Sequence, residues 1–336
     1  MDPVDALTEI AFLLERERAN AFTAKAFRRA AAAVGSAPAD ARTDAARLAR
    51  LPGVGDTTAR VIREALAGDV PGYLAELREH AGVAPRASSL RGALRGDLHA
   101  HSDWSDGTTS IDSMADAAAA LGHEYLALTD HSPRLRVARG LSADRLEEQL
   151  EVVAGVHREG FTLLTGIEVD ILDDGALDQR DDLLDRLDVV VASAHSTLRM
   201  ERRPMTRRLV AAASNPRVDV LGHVTGRLVE GARGTRPPSV FDPEPVFAAC
   251  AASGVAVEIN SRPERQDPPD DLIRLALDAG CLFSIDSDAH APGQLSLLDH
   301  GAARAEALGV PADRIITTWP LDRLRAHLER THLHHM

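Results

Sequence analysis

Apolar positions in the first 80 residues recur every three to four places, whereas past residue 95 short β-rich runs alternate with amphipathic stretches. Asp5 to Leu14 and Ala21 to Val34 read as helices, the second closed by Pro38. Leu51-Pro52-Gly53-Val54-Gly55 then punctuates the pattern, and Ala59, Val61, Ile62 and Leu66 resume a helical period after it. Such a glycine pair lets the backbone turn tightly and leaves the next helix's first amides free to meet a phosphate oxygen. From 95 onward strands are expected at 95–101, 125–131, 161–171, 188–195, 218–225, 255–261 and 282–290. Helical segments such as 110–121, 142–158, 242–253 and 270–279 lie between them. Seven alternating units require parallel strands, and a closed or nearly closed (β/α) barrel is the economical way to bury them; an open doubly wound sheet is the runner-up.

Composition and charge divide the chain at the same place. With 336 residues, 44% of them apolar, the chain can fill one large core and a smaller one. Residues 1–95 carry 14 basic and 12 acidic side chains, while 96–336 carry 24 and 39. A helical domain over 1–83, a linker over 84–94 built on Ala84-Pro85-Arg86-Ala87-Ser88-Ser89, and a barrel over 95–336 follow. Cys250 and Cys281 are too few for a disulfide framework, which suits a reducing cytoplasm. Charged residues crowd the first 30 positions and no run of 18 apolar residues occurs, so a cytoplasmic protein without signal peptide or membrane span is expected. Lysine occurs once, at Lys25, against 37 arginines, a bias that a GC-rich genome explains without invoking function.

Candidate chemistry gathers at strand ends. His99 and His101 stand at i and i+2 in Gly96-Asp97-Leu98-His99-Ala100-His101-Ser102, the spacing that sends both imidazoles to one face of a strand. Alone, the pair reads as well as two polar residues on a half-exposed strand. The theme recurs, however: Asp130-His131 ends the second strand, Glu168 lies in the third, His195 ends the fourth, His223 the fifth, and Asp288 with His290 the seventh. Active sites of (β/α) barrels are built at that end of the strands. His223 taken singly is better explained as a hydrogen-bonded core histidine; the set taken jointly points to a metal site. His80, His123, His157, His300, His327, His332, His334 and His335 are placed on helices or at the chain end and are given no chemistry.

Asp97-Leu-His-Ala-His-Ser, Thr129-Asp-His-Ser, Gly166-Ile-Glu, Ser193-Ala-His, Gly222-His and Ser287-Asp-Ala-His are similar, in order, to the motifs of the PHP (polymerase and histidinol phosphatase) superfamily. The likeness covers essentially all of 95–325 and implies an α/β fold, a distorted seven-stranded barrel holding a trinuclear metal centre. It further implies His99, His101, Glu168 and Asp288 around one ion, with Glu168 bridging to a second held by His195 and His223. His131, His290 and Asp106 would hold the third, Asp106 being where family members vary between acid and histidine. Glu168, Asp288 and His101 would carry the catalysis. Nitrogen and carboxylate ligands suit two to three Zn, Mn, Fe or Co ions without choosing among them. Carboxylate-bridged dications lower the pKa of a bound water and stabilise charge on the leaving oxygen, so phosphoester hydrolysis is the expected reaction.

The first domain has its own resemblance. Leu51-Pro-Gly-Val-Gly between short helices resembles the helix-hairpin-helix, a sequence-independent binder of the DNA backbone, with Gly53, Val54 and Gly55 making the contact. The bland alternative is a helix cap followed by a turn. Ala26-Phe27-Arg28-Arg29-Ala30-Ala31 and Leu51 to Leu77 look like the N-terminal domain of family X DNA polymerases, and Thr317-Thr-Trp-Pro320-Leu-Asp-Arg-Leu324 like the close of the bacterial members' PHP part. Between the two domains there is no room for the polymerase core. Some members use a lysine on the helix after the hairpin for 5′-deoxyribose-phosphate lyase chemistry; Val61 stands there, and Lys25 lies elsewhere, so that activity is not expected.

The substrate is read from charge. The seven expected strand-end loops carry 13 arginines and 9 acids, against 11 basic and 30 acidic side chains in the rest of 96–336. Arg199, Arg202, Arg203, Arg207 and Arg208 are the densest group, and Arg262 with Arg265 follow strand six. Loop arginines are often merely solvated, but a stripe of them suits a polyanionic strand better than a small monoester. A metal-dependent nuclease or 3′-phosphoesterase acting on DNA is therefore expected. A small-molecule phosphatase such as histidinol-phosphate phosphatase is the alternative, and a non-catalytic DNA-binding protein the third reading. DNA is the expected partner, with no protein partner and no membrane evident.

Overall fold

The computed structural model describes residues 1–81, 88–231 and 234–333. It divides into two compact units, residues 1–84 with 291–294, and residues 85–290 with 295–336.

The first unit is built from α1 (Pro3–Arg16), α2 (Ala21–Gly35), α3 (Ala45–Leu48), α4 (Asp56–Leu66) and α5 (Gly72–Ala81). Asp2 starts α1 by accepting the Val4 and Asp5 amides, with Pro3 in the first turn, where its missing N–H costs nothing. Asn20 caps α2 through the Phe22 amide. Leu7, Ile10, Phe27, Leu48, Val61, Ile62 and Leu74 are buried in a common core, so the helical spacing of the sequence is the spacing of this face. Between α3 and α4 the chain turns at Gly53, whose φ of 95° is open to glycine and strained for other residues. Thr58 closes the turn by exchanging 2.9 Å hydrogen bonds with the Gly55 amide and carbonyl.

The second unit opens with α6 (Ser89–Ala93), capped by Ser88, and continues into β1 (Gly96–Ala100), α7 (Ile111–Ala120), β2 (Tyr125–Leu128), α8 (Ala143–Ala154) and β3 (Thr162–Asp170). Then come α9 (Asp181–Leu184), β4 (Val189–Ser193), α10 (Arg202–Ala213), β5 (Val220–Leu221), α11 (Pro243–Ser253) and β6 (Ala256–Asn260). α12 (Asp270–Asp278), β7 (Leu282–Asp286), α13 (Leu298–Ala307) and α14 (Leu321–Leu333) complete it. Every strand pairs in parallel with its sequence neighbour, in the order β1 to β7.

The ends of that sheet meet. Ala100 and Ala289 form a parallel bridge, and the His101 amide donates to Ala289 O at 2.8 Å. Below the bridge, buried carboxylates replace the missing ladder: Asp286 accepts from the Leu98 amide at 2.9 Å and Asp97 from the Ser287 amide at 3.2 Å. The result is a nearly closed seven-stranded barrel, not an open sheet. Leu98, Tyr125, Leu164, Val191, Val220, Ile316 and Trp319 fill it, and the Tyr125 hydroxyl donates to Trp319 O at 3.0 Å.

Three expectations are corrected. Part of the expected linker is helix α6, tied to α13 by Arg91 and Asp299 at 2.7 Å, because Ser88 supplies a cap and Leu90 is buried; residues 84–87 lie outside the described residues. His123 and His157 lie in the loops after α7 and α8, not on helices, and His334 and His335 lie outside the described residues. The arginines counted in a loop at 202–208 belong to α10, whose first turn begins at Arg202.

Candidate metal centre

The strands stop short of the histidines that follow them. β2 ends at Leu128, β4 at Ser193, β5 at Leu221 and β7 at Asp286, so His131, His195, His223 and His290 lie just past the ladders. Gly222 permits the closest of these turns: a Cβ there would come within 2.3 Å of Ser193 Oγ. A single bridge between His131 and Glu168 prolongs the β2–β3 pairing and brings His131 beside the carboxylate of β3. Asp288 takes a left-handed φ of 51°, a strain that aspartate tolerates better than most residues.

All nine expected ligands converge. Glu168 is 1% exposed; its Oε1 lies 2.9 Å from His223 Nε2 and 3.2 Å from His195 Nε2. Its Oε2 lies 2.9 Å from His131 Nδ1, 3.3 Å from His99 Nε2 and 3.6 Å from His101 Nε2. Asp288 Oδ1 stands 3.5 Å from His101 Nε2 and 3.5 Å from His290 Nδ1. At the mouth Asp106 Oδ1 faces His290 Nε2 at 3.3 Å and His131 Nε2 at 3.5 Å. Three overlapping groups have donor atoms close enough to share an ion: His99, His101 and Asp288; His131, Glu168 and His195; and His101, Asp106, His131 and His290.

The donors fit cations better than they fit one another. Among the described residues, seven ring nitrogens of His99, His101, His131, His195 and His223 are buried without a hydrogen-bond partner. Each such orphan costs on the order of 1–3 kcal/mol, and each ring has one nitrogen whose lone pair a cation would engage. Burial opposes ionisation of Glu168, but the charges of His195, His99 and His131 outweigh it and hold its carboxyl well below the usual range. Burial opposes it at Asp288 too, and Arg265 wins there, with Nε 3.0 Å from Oδ2. Burial, aided by His290 and His131, pushes His101 down to about 3, which leaves a neutral imidazole free to ligate.

Supporting residues that sequence reasoning missed lie beneath these ligands. Asp170, two places after Glu168 on β3, accepts from the His195 amide at 3.0 Å. Asp130 takes the Ser102 amide at 2.9 Å, its hydroxyl at 2.6 Å and Gln149 Nε2 at 2.7 Å, which fixes the loop that carries Asp106. Glu258 of β6, fully buried, lies 2.5 Å from His99 Nδ1. A charged residue inside the apolar run Ala256-Val-Glu-Ile-Asn260 was the available signal.

The arginines separate into three groups. Arg262 donates to Asp288 O at 2.7 Å and Arg265 to the Asp288 carboxylate, so both belong to the centre. Arg202 is tied to Phe241 O at 3.1 Å, and Arg208 is buried and bonded to Ile171 O and Ser196 O. Arg199, Arg203 and Arg207 are exposed. In the helical unit a groove of about 730 Å³ is lined by Phe22, Arg29, Gly53, Val54, Gly55 and Arg60. Val61, where a lyase lysine would stand, is buried in the helical core, and Lys25 is exposed. Among the described residues no helix is long and apolar enough to cross a membrane.

Residues 97–261 match the PHP domain, and residues 1–70 match the helix-hairpin-helix domain. A "Probable phosphatase" of Vibrio parahaemolyticus is 30% identical over 236 residues, covering 66% of this chain and 88% of that protein. The chain belongs to the PHP family. With that membership the barrel is a metal-dependent phosphoesterase domain, a hydrolase. The DNA polymerase/3′-5′ exonuclease PolX of Bacillus subtilis is 36% identical over 241 residues, 71% of this chain; the chain spans only 42% of that relative's length. Among solved structures, histidinol phosphate phosphatase from Lactococcus lactis, complexed with zinc, L-histidinol and phosphate, is similar at 17% identity and a TM-score of 0.47, covering 64% of this chain and 94% of that one.

Proposed function

We propose that this protein hydrolyses phosphodiester or 3′-terminal phosphate bonds of DNA at the barrel mouth, and that the helical unit holds the DNA backbone. The observation that carries the reading is one chain combining the Glu168-centred ligand cluster with a glycine hairpin beside the exposed Arg29 and Arg60. A small phosphate monoester gives the hairpin nothing to do, whereas a DNA strand engages both. His99, His101, Glu168 and Asp288 would hold one ion, His195 and His223 with Glu168 a second, and Asp106, His131 and His290 a third. Bound there, divalent ions supply the Lewis acidity that phosphoester hydrolysis needs. Glu168 keeps its two oxygens between donors from four other strands, Arg265 orients Asp288, and the exposed Arg199 and Arg203 offer a phosphate landing beyond His195.

A second reading, a small-molecule phosphatase, draws on relatives named phosphatases that this chain matches over about nine-tenths of their length, 89% in a Thermoanaerobacter example. One experiment separates the two. Protein loaded with Mn²⁺ is incubated with end-labelled single-stranded and gapped DNA, and in parallel with histidinol phosphate. Shortened or dephosphorylated DNA with little turnover of the monoester is expected; rapid monoester hydrolysis with intact DNA would transfer the proposal to the second reading.

A further inference from the structure

Glu258 has no place in the ligand set, yet it is fully buried on β6 between the strand ends that carry His223 and Asp288. Three donors surround it: His99 Nδ1 at 2.5 Å, the His223 backbone N–H at 2.5 Å and Asn260 Nδ2 at 3.2 Å. The same Asn260 amide stands 3.2 Å from Asp288 Oδ2. A carboxylate buried this deeply is costly unless its lone pairs are used, and here they are used on the supports of three different ligands.

The geometry points to Glu258 as a positioning residue that sets the metal-binding form of His99 and, through the His223 amide, links the ligand shells of two ions. This rests on the metal reading of the Glu168 cluster. With Nδ1 committed to Glu258 Oε1, the His99 ring turns Nε2 toward Glu168, 3.3 Å away, where an ion would lie. The other oxygen fixes the backbone of His223, whose Nε2 faces the opposite oxygen of Glu168 at 2.9 Å. Asp106, by contrast, faces His131 and His290 and, among the described residues, makes no hydrogen bond to Glu258, His99 or His223.

Glu258→Gln isolates the effect. Its amide presents a donor to either the His99 Nδ1–H or the His223 N–H, and the relief at His99 is to move the ring proton to Nε2, the atom that should ligate. Chelator-stripped protein is titrated with Co²⁺ and followed by ligand-field absorbance, alongside thermal unfolding of the metal-free forms. Glu258→Gln should weaken Co²⁺ binding by about 10- to 100-fold while metal-free unfolding stays close to wild type, and Glu258→Asp should recover part of the loss. Unchanged Co²⁺ affinity, or a metal-free form destabilised with affinity intact, would overturn the inference. Should Glu258→Gln not fold, histidine ¹⁵N shifts of the Zn²⁺-loaded wild-type protein decide: a proton on His99 Nδ1 with Nε2 on the metal is required, and the reverse refutes it. Wild-type protein that takes up no Co²⁺ would instead refute the metal reading itself.

Discussion

Glu168 stands at the crossing of the ligand network, since its two oxygens face five imidazoles from four other strands. Glu168→Gln removes a charge that no neighbour replaces, and a loss of at least about a hundredfold in phosphoester hydrolysis is expected in steady-state assays. Asp106→Asn should cost clearly less, because that carboxylate is 36% exposed and faces two imidazoles, His131 and His290, where Glu168 faces five. At His195 burial opposes the charged ring, but Glu168 beside it prevails and raises the pKa to about 9. The metal-free protein therefore carries a proton there at pH 7 that a cation must displace. Metal affinity should rise with pH toward 9 and uptake should release protons, both measurable by calorimetry in buffers of different ionisation enthalpy; an affinity independent of pH from 6 to 9 would contradict this. The candidate ligands other than Asp106 were legible because each stands in or just past a strand in its own short motif. Glu258 and Asp170 were not, because their meaning depends on partners brought from distant strands.

At the scale of elements, periodicity located every strand but overran the ends. The strand expected at 125–131 runs through His131, whereas the ladder stops at Leu128 and resumes only as the single bridge between His131 and Glu168. β5, expected over 218–225, is only Val220 and Leu221. The arginine-rich stretch misled in another way: a loop was expected where α10 begins, and Arg208 was absorbed into packing beneath Ile171. The hairpin between α3 and α4 carries a separate expectation. Arg29→Glu with Arg60→Glu places negative charge beside the Gly53 to Gly55 amides, and DNA affinity measured by fluorescence anisotropy should fall and lose part of its salt dependence. Hydrolysis of bis(p-nitrophenyl) phosphate should be unchanged by the same pair. Equal loss of both would refute the division of labour between hairpin and barrel.

For the whole molecule, the change of period near residue 95 and the change of charge with it marked the two-part organisation, while the composition of the joint hid helix α6. The barrel was legible because seven parallel units leave few ways to bury their strands. Near closure followed from the same economy; the means of closure was not legible, because beside the Ala100–Ala289 bridge the seam between β1 and β7 is made by Asp97 and Asp286 side chains, which no periodicity announces. The account depends above all on cations at the barrel mouth. Elemental analysis of protein purified without chelator tests this most directly, and two to three divalent ions per chain are expected, with thermal stability falling once they are stripped. Protein that contains none, and whose stability and hydrolysis do not respond to added Mn²⁺ or Zn²⁺, would contradict it.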